Sequence, residues 1–105
     1  MSALLSTVVT VTTAGTIVQV STTDLFCESF MVEPLHTNTG RTWVGGSNMV
    51  KATPVGVWAW IPAPSANIAP SFQVKGHFTE AFNLKDMYID TDTSGEKAII
   101  TYLQR

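Results

Sequence analysis

Charge is scarce in this chain. Asp, Glu, Lys and Arg make up 13% of its 105 residues, about half the usual ~25%. The six basic residues are scattered and the formal net charge is −2. Gripping nucleic acid takes a basic patch that displaces counterions from phosphates, so the composition argues against that partner. Cysteine is nearly absent. The single Cys27 excludes an internal disulfide, and one Cys with two His is too little for a structural zinc site. Cys27 therefore reads as a small buried hydrophobe. Long apolar runs are missing too. Thr7, Thr10, Thr12 and Thr13 interrupt the N-terminal segment, which has no basic stretch ahead of it. The expectation is no signal peptide, no membrane span, and a chain made in a cytoplasm that stays in solution.

Polarity comes instead from uncharged residues. Threonine alone supplies 15 positions, and Thr is β-branched and favours strands. An apolar fraction of 45% is ordinary, and 105 residues are enough for one domain with a core of its own. A disordered chain would show the opposite balance of high charge and few apolar residues.

Period-two alternation dominates the chain. TVVTVTT (7–13) and TIVQV (16–20) flank Ala14-Gly15, which suggests a hairpin or one long strand broken by a bulge. FCESFMVEPLH (26–36) is an apolar strand ended by Pro34. Asn38-Thr39-Gly40 is a turn, Thr42-Trp43-Val44 a short strand, and Gly45-Gly46-Ser47-Asn48 another turn. In VGVWAWI (55–61), Trp58 and Trp60 fall on one face, and Val57, Ala59 and Ile61 on the other. Pro62, Pro64 and Pro70 bracket an irregular loop, and residues 72–78 read as a short strand. TEAFNLKD (79–86) allows at most one helical turn. Met87 and Ile89 face away from Asp86, Tyr88 and Asp90. A polar turn, 91–96, then leads to KAIITYL (97–103), and the two segments read as a hairpin. The sum is an all-β single domain of seven or eight short strands, a β-sandwich or jelly-roll-like fold. It spans 7–105, with residues 1–6 as a flexible N-terminal arm.

Few constellations suggest chemistry. Asp90-Thr91-Asp92-Thr93-Ser94-Gly95 resembles the start of a calcium loop, but its twelfth position is Thr101 where a bidentate Glu belongs. A polar turn tip is the plainer reading. His36 and His77 stand 41 residues apart with no nucleophile motif between or around them. No catalytic residue, cofactor or metal is assigned. Aromatics are the remaining signal. Trp43, Trp58 and Trp60, with Phe72, Phe78 and Phe82, fit three roles: core filling, a sugar-stacking platform, or anchors of a protein interface. Low charge favours the interface, with Trp43, Trp58, Trp60, Pro62, Pro64, Ile68 and Phe72 as its candidate residues.

The order of these pieces is itself informative. VVTVTTAGTIVQV (8–20) is followed by an apolar strand, Asn38-Thr39-Gly40 and Trp43-Val44-Gly45-Gly46-Ser47. LKDMYID (84–90) then runs through Ser94-Gly95-Glu96 to Tyr102-Leu103. This pattern resembles small virion proteins of tailed bacteriophages, of the capsid decoration, cement or head-fibre-base type. Residues 52–80, rich in Pro and Trp, depart from it and suggest a specialised contact loop. The resemblance implies a β-sandwich on the outer surface of a phage capsid. It would stabilise contacts between neighbours, bind the major capsid protein, and associate with itself as a homotrimer. The alternatives are a carbohydrate- or receptor-binding module of a phage fibre and a head–tail or tail subunit.

Overall fold

The computed structural model describes residues 3–74 and 81–105. Among these residues the chain forms nine strands: β1 (Ala3–Thr10), β2 (Val18–Gln19), β3 (Phe26–Pro34), β4 (Thr42–Gly45), β5 (Val57–Ile61), β6 (Phe72–Val74), β7 (Phe82–Asn83), β8 (Tyr88–Thr91) and β9 (Lys97–Gln104). One antiparallel sheet has the order β1-β9-β3-β6, with β7 also paired to β3; the other has the order β2-β8-β4-β5. The two sheets enclose one core, so the all-β sandwich expected from alternation is the fold.

Alternation explains which side chains the core takes. Val9 and Val11 from the N-terminal segment, Cys27, Phe30 and Val32 from β3, and Ala98, Ile100 and Tyr102 from β9 meet Val44, Ile61 and Ile89 of the facing sheet and Met87 just before β8. Cys27 is fully buried there, and burial pushes its thiol up to about 11. Phe30 is the aromatic centre, with Phe72 at 6.0 Å and Phe82 at 5.0 Å.

Three sequence expectations need correction. Residues 3–6 are not an arm: β1 begins at Ala3 and pairs with β9 along its whole length, from Ala3↔Gln104 to Thr10↔Lys97. Leu4 and Leu5 continue the Thr/Val strand, and eight-residue β9 supplies a partner for all of it. Residues 7–20 are neither a hairpin nor a bulged strand. β1 and β2 lie in different sheets, and the chain crosses between them through Gly15 (φ 91°). Residues 86–103 are not a hairpin either. β8 pairs with β2 and β4, whereas β9 pairs with β1 and β3, so Thr91 to Glu96 is a second crossing, with Gly95 at φ 85°. Both crossings need a positive φ that glycine adopts without a Cβ penalty. Segment 79–86 is in part strand β7 and in part a 3-10 turn, Leu84–Asp86, capped by Asn83. Residues 75–80, with His77, Phe78 and the ends of two expected segments, lie outside the described residues.

Adjacent strands in the chain mostly alternate between sheets; among the described strands only β4 and β5 form a consecutive antiparallel pair within one sheet. Most connections between the described strands are therefore crossings, and the two layers depend on what ties those crossings together. One buried group is left over. Thr42 is fully buried, and its Oγ1 has no hydrogen-bond partner among the described residues. Such a group forfeits its hydration without recompense. Thr42→Val keeps the shape and removes the hydroxyl, so it is expected to raise stability by about 1 kcal/mol, read as a higher urea midpoint at unchanged slope.

Candidate functional site

The acidic segment that looked like a calcium loop is a fastening hub. Asp90 is buried, and its Oδ1 accepts from the Gly15 amide at 2.9 Å and the Thr91 amide at 2.8 Å. It thus ties the β8–β9 crossing to the β1–β2 crossing. Val11 reinforces the tie: its amide donates to the Glu96 carbonyl, and its own carbonyl accepts from the Gly95 amide. Asp92 accepts from Arg41 Nε at 2.7 Å, Trp43 Nε1 at 2.9 Å and Lys51 Nζ at 3.4 Å. Lys51 also donates to the Thr91 carbonyl at 2.7 Å and lies 3.9 Å from Asp90 Oδ2. Glu96 takes the Thr39 amide at 2.6 Å and the Gly40 amide at 3.0 Å. The side chain of Asn38 pairs with both backbone groups of Lys97. The separate motifs Asn38-Thr39-Gly40 and Ser94-Gly95-Glu96 are therefore two halves of one clamp.

Each carboxylate of the hub is already matched by protein donors. Partial burial would raise the Asp92 carboxyl, but hydrogen bonds from Arg41, Trp43 and Lys51 outweigh it and hold the group below its ordinary value of 3.8. Among the described residues no group of three or more His, Cys, Asp or Glu is arranged to hold a metal ion. His36 is exposed in the turn after β3. No described helix is long and apolar enough to cross a membrane.

Beside the hub lies an aromatic ladder. Trp43 on β4 pairs across the sheet with Trp60 on β5 and with Asp90 on β8, so all three stand on the outer face of the second sheet. The two indoles are 6.3 Å apart, and the Arg41 guanidinium sits over both, at 5.1 and 5.5 Å from their ring centres. Trp43 is covered, whereas Trp60 remains 53% exposed. Arg41 is thus held by Asp92 at its Nε and lies over both rings, beside one exposed indole.

The remaining sequence candidates scatter. A register shift between Val44 and Gly45 leaves Trp58 as the extra residue of a bulge. It is 43% exposed and packs edge-on to Phe82 at 5.7 Å, away from the Trp43–Trp60 pair. The alternation in VWAWI put Trp58 and Trp60 on one platform; the bulge breaks that period and gives them different neighbours. Pro62 is exposed directly after β5, Pro64 is half-buried, and Ile68 is exposed where a short bridge joins it to Ser65. Phe72 packs on Phe30 against the core, so it and the covered Trp43 serve internal contacts. Comparison with protein-family models, curated proteins and solved structures finds no match.

Other exposed apolar side chains escaped the sequence reading. Leu4, Leu5 and Val8 lie on β1, Phe26 begins β3, and Val50 and Val55 lie within the β4–β5 connection. The signal for the first three was present: residues 3–10 hold no charge, so nothing there marks a solvent face.

Two measurements test this geometry. Trp43→Ala removes a buried ring and leaves Asp92 without one donor, so it is expected to cost about 3–5 kcal/mol of stability. Trp60→Ala removes an exposed ring and is expected to cost about 1 kcal/mol or less; chemical denaturation separates the two. A depressed carboxyl stabilises the fold fully above its unfolded value, and the contribution disappears as pH falls through the lower folded value. Asp92→Asn should lower the urea midpoint at pH 7 and flatten the loss of stability below about pH 4.

Proposed function

We propose that this protein is a structural assembly subunit, a capsid decoration or cement protein of a tailed-phage particle. In this reading it sits on the outer capsid surface, binds the major capsid protein and stabilises contacts between neighbouring copies. The observation that carries the proposal is the distribution of surface: a rigid sandwich whose exposed large apolar side chains include Trp58, Trp60, Ile68, Leu4 and Val8. Such surface is a liability on a lone domain and an asset in a shell. Repetition by symmetry multiplies modest contacts into firm attachment. The ordered motif set that resembles small phage virion proteins gives the surface its partner, and it also implies copies clustered as trimers. No cofactor and no catalytic step belong to this role.

One observation favours a second reading. Trp60 is 53% exposed with the Arg41 guanidinium 5.5 Å from its ring centre, a flat apolar surface beside a polar group that suits a pyranose. A carbohydrate- or receptor-binding module of a fibre would use it. Trp58 stands apart at its bulge, so such a platform would rest on a single ring.

The test is co-sedimentation of the purified protein with expanded phage capsids that lack it. Binding to capsids, weakened about tenfold or more by Trp60→Ala with the fold intact, is the expected outcome. Failure to sediment with capsids, together with quenching of tryptophan fluorescence by host polysaccharide that Trp60→Ala abolishes, would move the assignment to the carbohydrate module.

A further inference from the structure

We infer that β1 is a self-complementary edge, and that two copies join through it in an antiparallel two-fold pair to make one continuous sheet. β1 ends the order β1-β9-β3-β6, so one side of its backbone is free among the described residues. At eight residues it is longer than the terminal strands β6, β2 and β5. Natural free edges are usually guarded by Lys, Pro, a bulge or brevity. Residues 3–10, ALLSTVVT, have no Pro and no charge, and their register with β9 is unbroken.

The register points to the partner. The Val11 amide donates to the Glu96 carbonyl, toward β9. Antiparallel ladders alternate, so Val9, Thr7, Leu5 and Ala3 also turn their backbone groups to β9. Leu4, Ser6, Val8 and Thr10 turn theirs to the open edge. A two-fold axis perpendicular to the sheet keeps each face on its own side, so even-numbered residues must meet even-numbered ones. Centring the axis on Ser6 places Ser6 opposite Ser6 of the second copy, and Leu4 opposite its Val8. Those pairs make six backbone hydrogen bonds. They also join two exposed side chains, Leu4 at 72% and Val8 at 56%.

The same register extends beyond the edge. Leu4 already neighbours Leu103, and Val8 neighbours Ile99. The pairing therefore creates an uninterrupted row, Leu103–Leu4–Val8–Ile99, across the junction, and symmetry creates it twice. With no charge on either strand, no like-charge repulsion opposes the approach. Main-chain bonds supply the affinity and alternate side chains the register, as in strand addition generally. A strand edge accepts one partner, so this contact is a dimer contact; where copies are also clustered as trimers, it links one trimer to the next. It does not depend on whether the protein binds a capsid.

Sedimentation equilibrium of the full chain over a wide concentration range tests the inference, together with three variants. Wild type should move from 11.4 kDa toward twice that mass. Val8→Lys guards the edge and should raise the dissociation constant about tenfold or more, with far-UV circular dichroism unchanged. Ser6→Pro removes only an outward-facing amide and should do the same, whereas a Pro at Thr7 would break the β1–β9 ladder itself. In Ser6→Cys the two thiols face each other across the axis, with Cα atoms about 5.5 Å apart. Mild oxidation should then yield a disulfide-linked dimer, since the native Cys27 is fully buried. A hexamer that also cross-links through Cys at position 6 supports the pairing between trimers. A monomer at every concentration, or an oligomer that neither cross-links in Ser6→Cys nor responds to Val8→Lys, overturns it.

Discussion

The fold depends on the anchoring of three carboxylates in one short segment. Asp90, Asp92 and Glu96 reach respectively to Gly15, to Arg41, Trp43 and Lys51, and to Thr39 and Gly40. Strands that follow one another here mostly lie in opposite sheets. A chain that crosses so often makes few local pairings, and loop closure has to precede most of its contacts. The hub compensates by joining crossings that are distant in sequence: Gly15 is 75 residues from Asp90, and Thr39 is 57 from Glu96. Hydrogen bonds to charged groups are stronger than neutral ones, so a few of them can hold the ends of both layers in register.

That anchoring also decides what the acidic segment does not offer freely. A cation entering between Asp90 and Asp92 would compete with Lys51, and Arg41 already holds the other oxygen of Asp92. The same contacts build the aromatic ladder. Asp92 fixes the indole of Trp43 and the guanidinium of Arg41, and these in turn support Trp60. The exposed ring is thus supported from the side of the hub.

Alternation made the fold class and much of the core legible in the sequence. Val9, Val32, Ile61, Ile89 and Ile100 fall on the faces that period two assigns. Pairing was not legible. KDMYID and KAIITYL around a polar turn read as a hairpin, yet each strand's own inward face is the same whether the two lie side by side or are stacked across a core. Which arrangement forms is decided by distant partners, β4 for β8 and β3 for β9. The aromatic site was half legible. Alternation separated the face of Trp60 from the face of Ile61 without saying which was core, and the bulge at Trp58 arises from the register with β4 and leaves no mark in VWAWI itself. Sequence likewise offered Glu96 and Asn38 as separate turn residues; their union is a long-range fact.

The scarcity of charge now has a structural consequence. Of the eight acidic residues, Asp90, Asp92 and Glu96 are committed to the hub, and with them Arg41 and Lys51 of the six basic ones. Asp24 and Lys85 pair with each other beside the 3-10 turn. That is half of the fourteen charged residues, and none of the other seven lies on the eight-residue edge strand β1. A protein that lived alone would gain from a lysine at Val8, an exposed position where the core has no claim. Its absence makes sense if the edge is normally covered. The sandwich is closed from within by the hub, and along β1 its side carries no charged guard among the described residues.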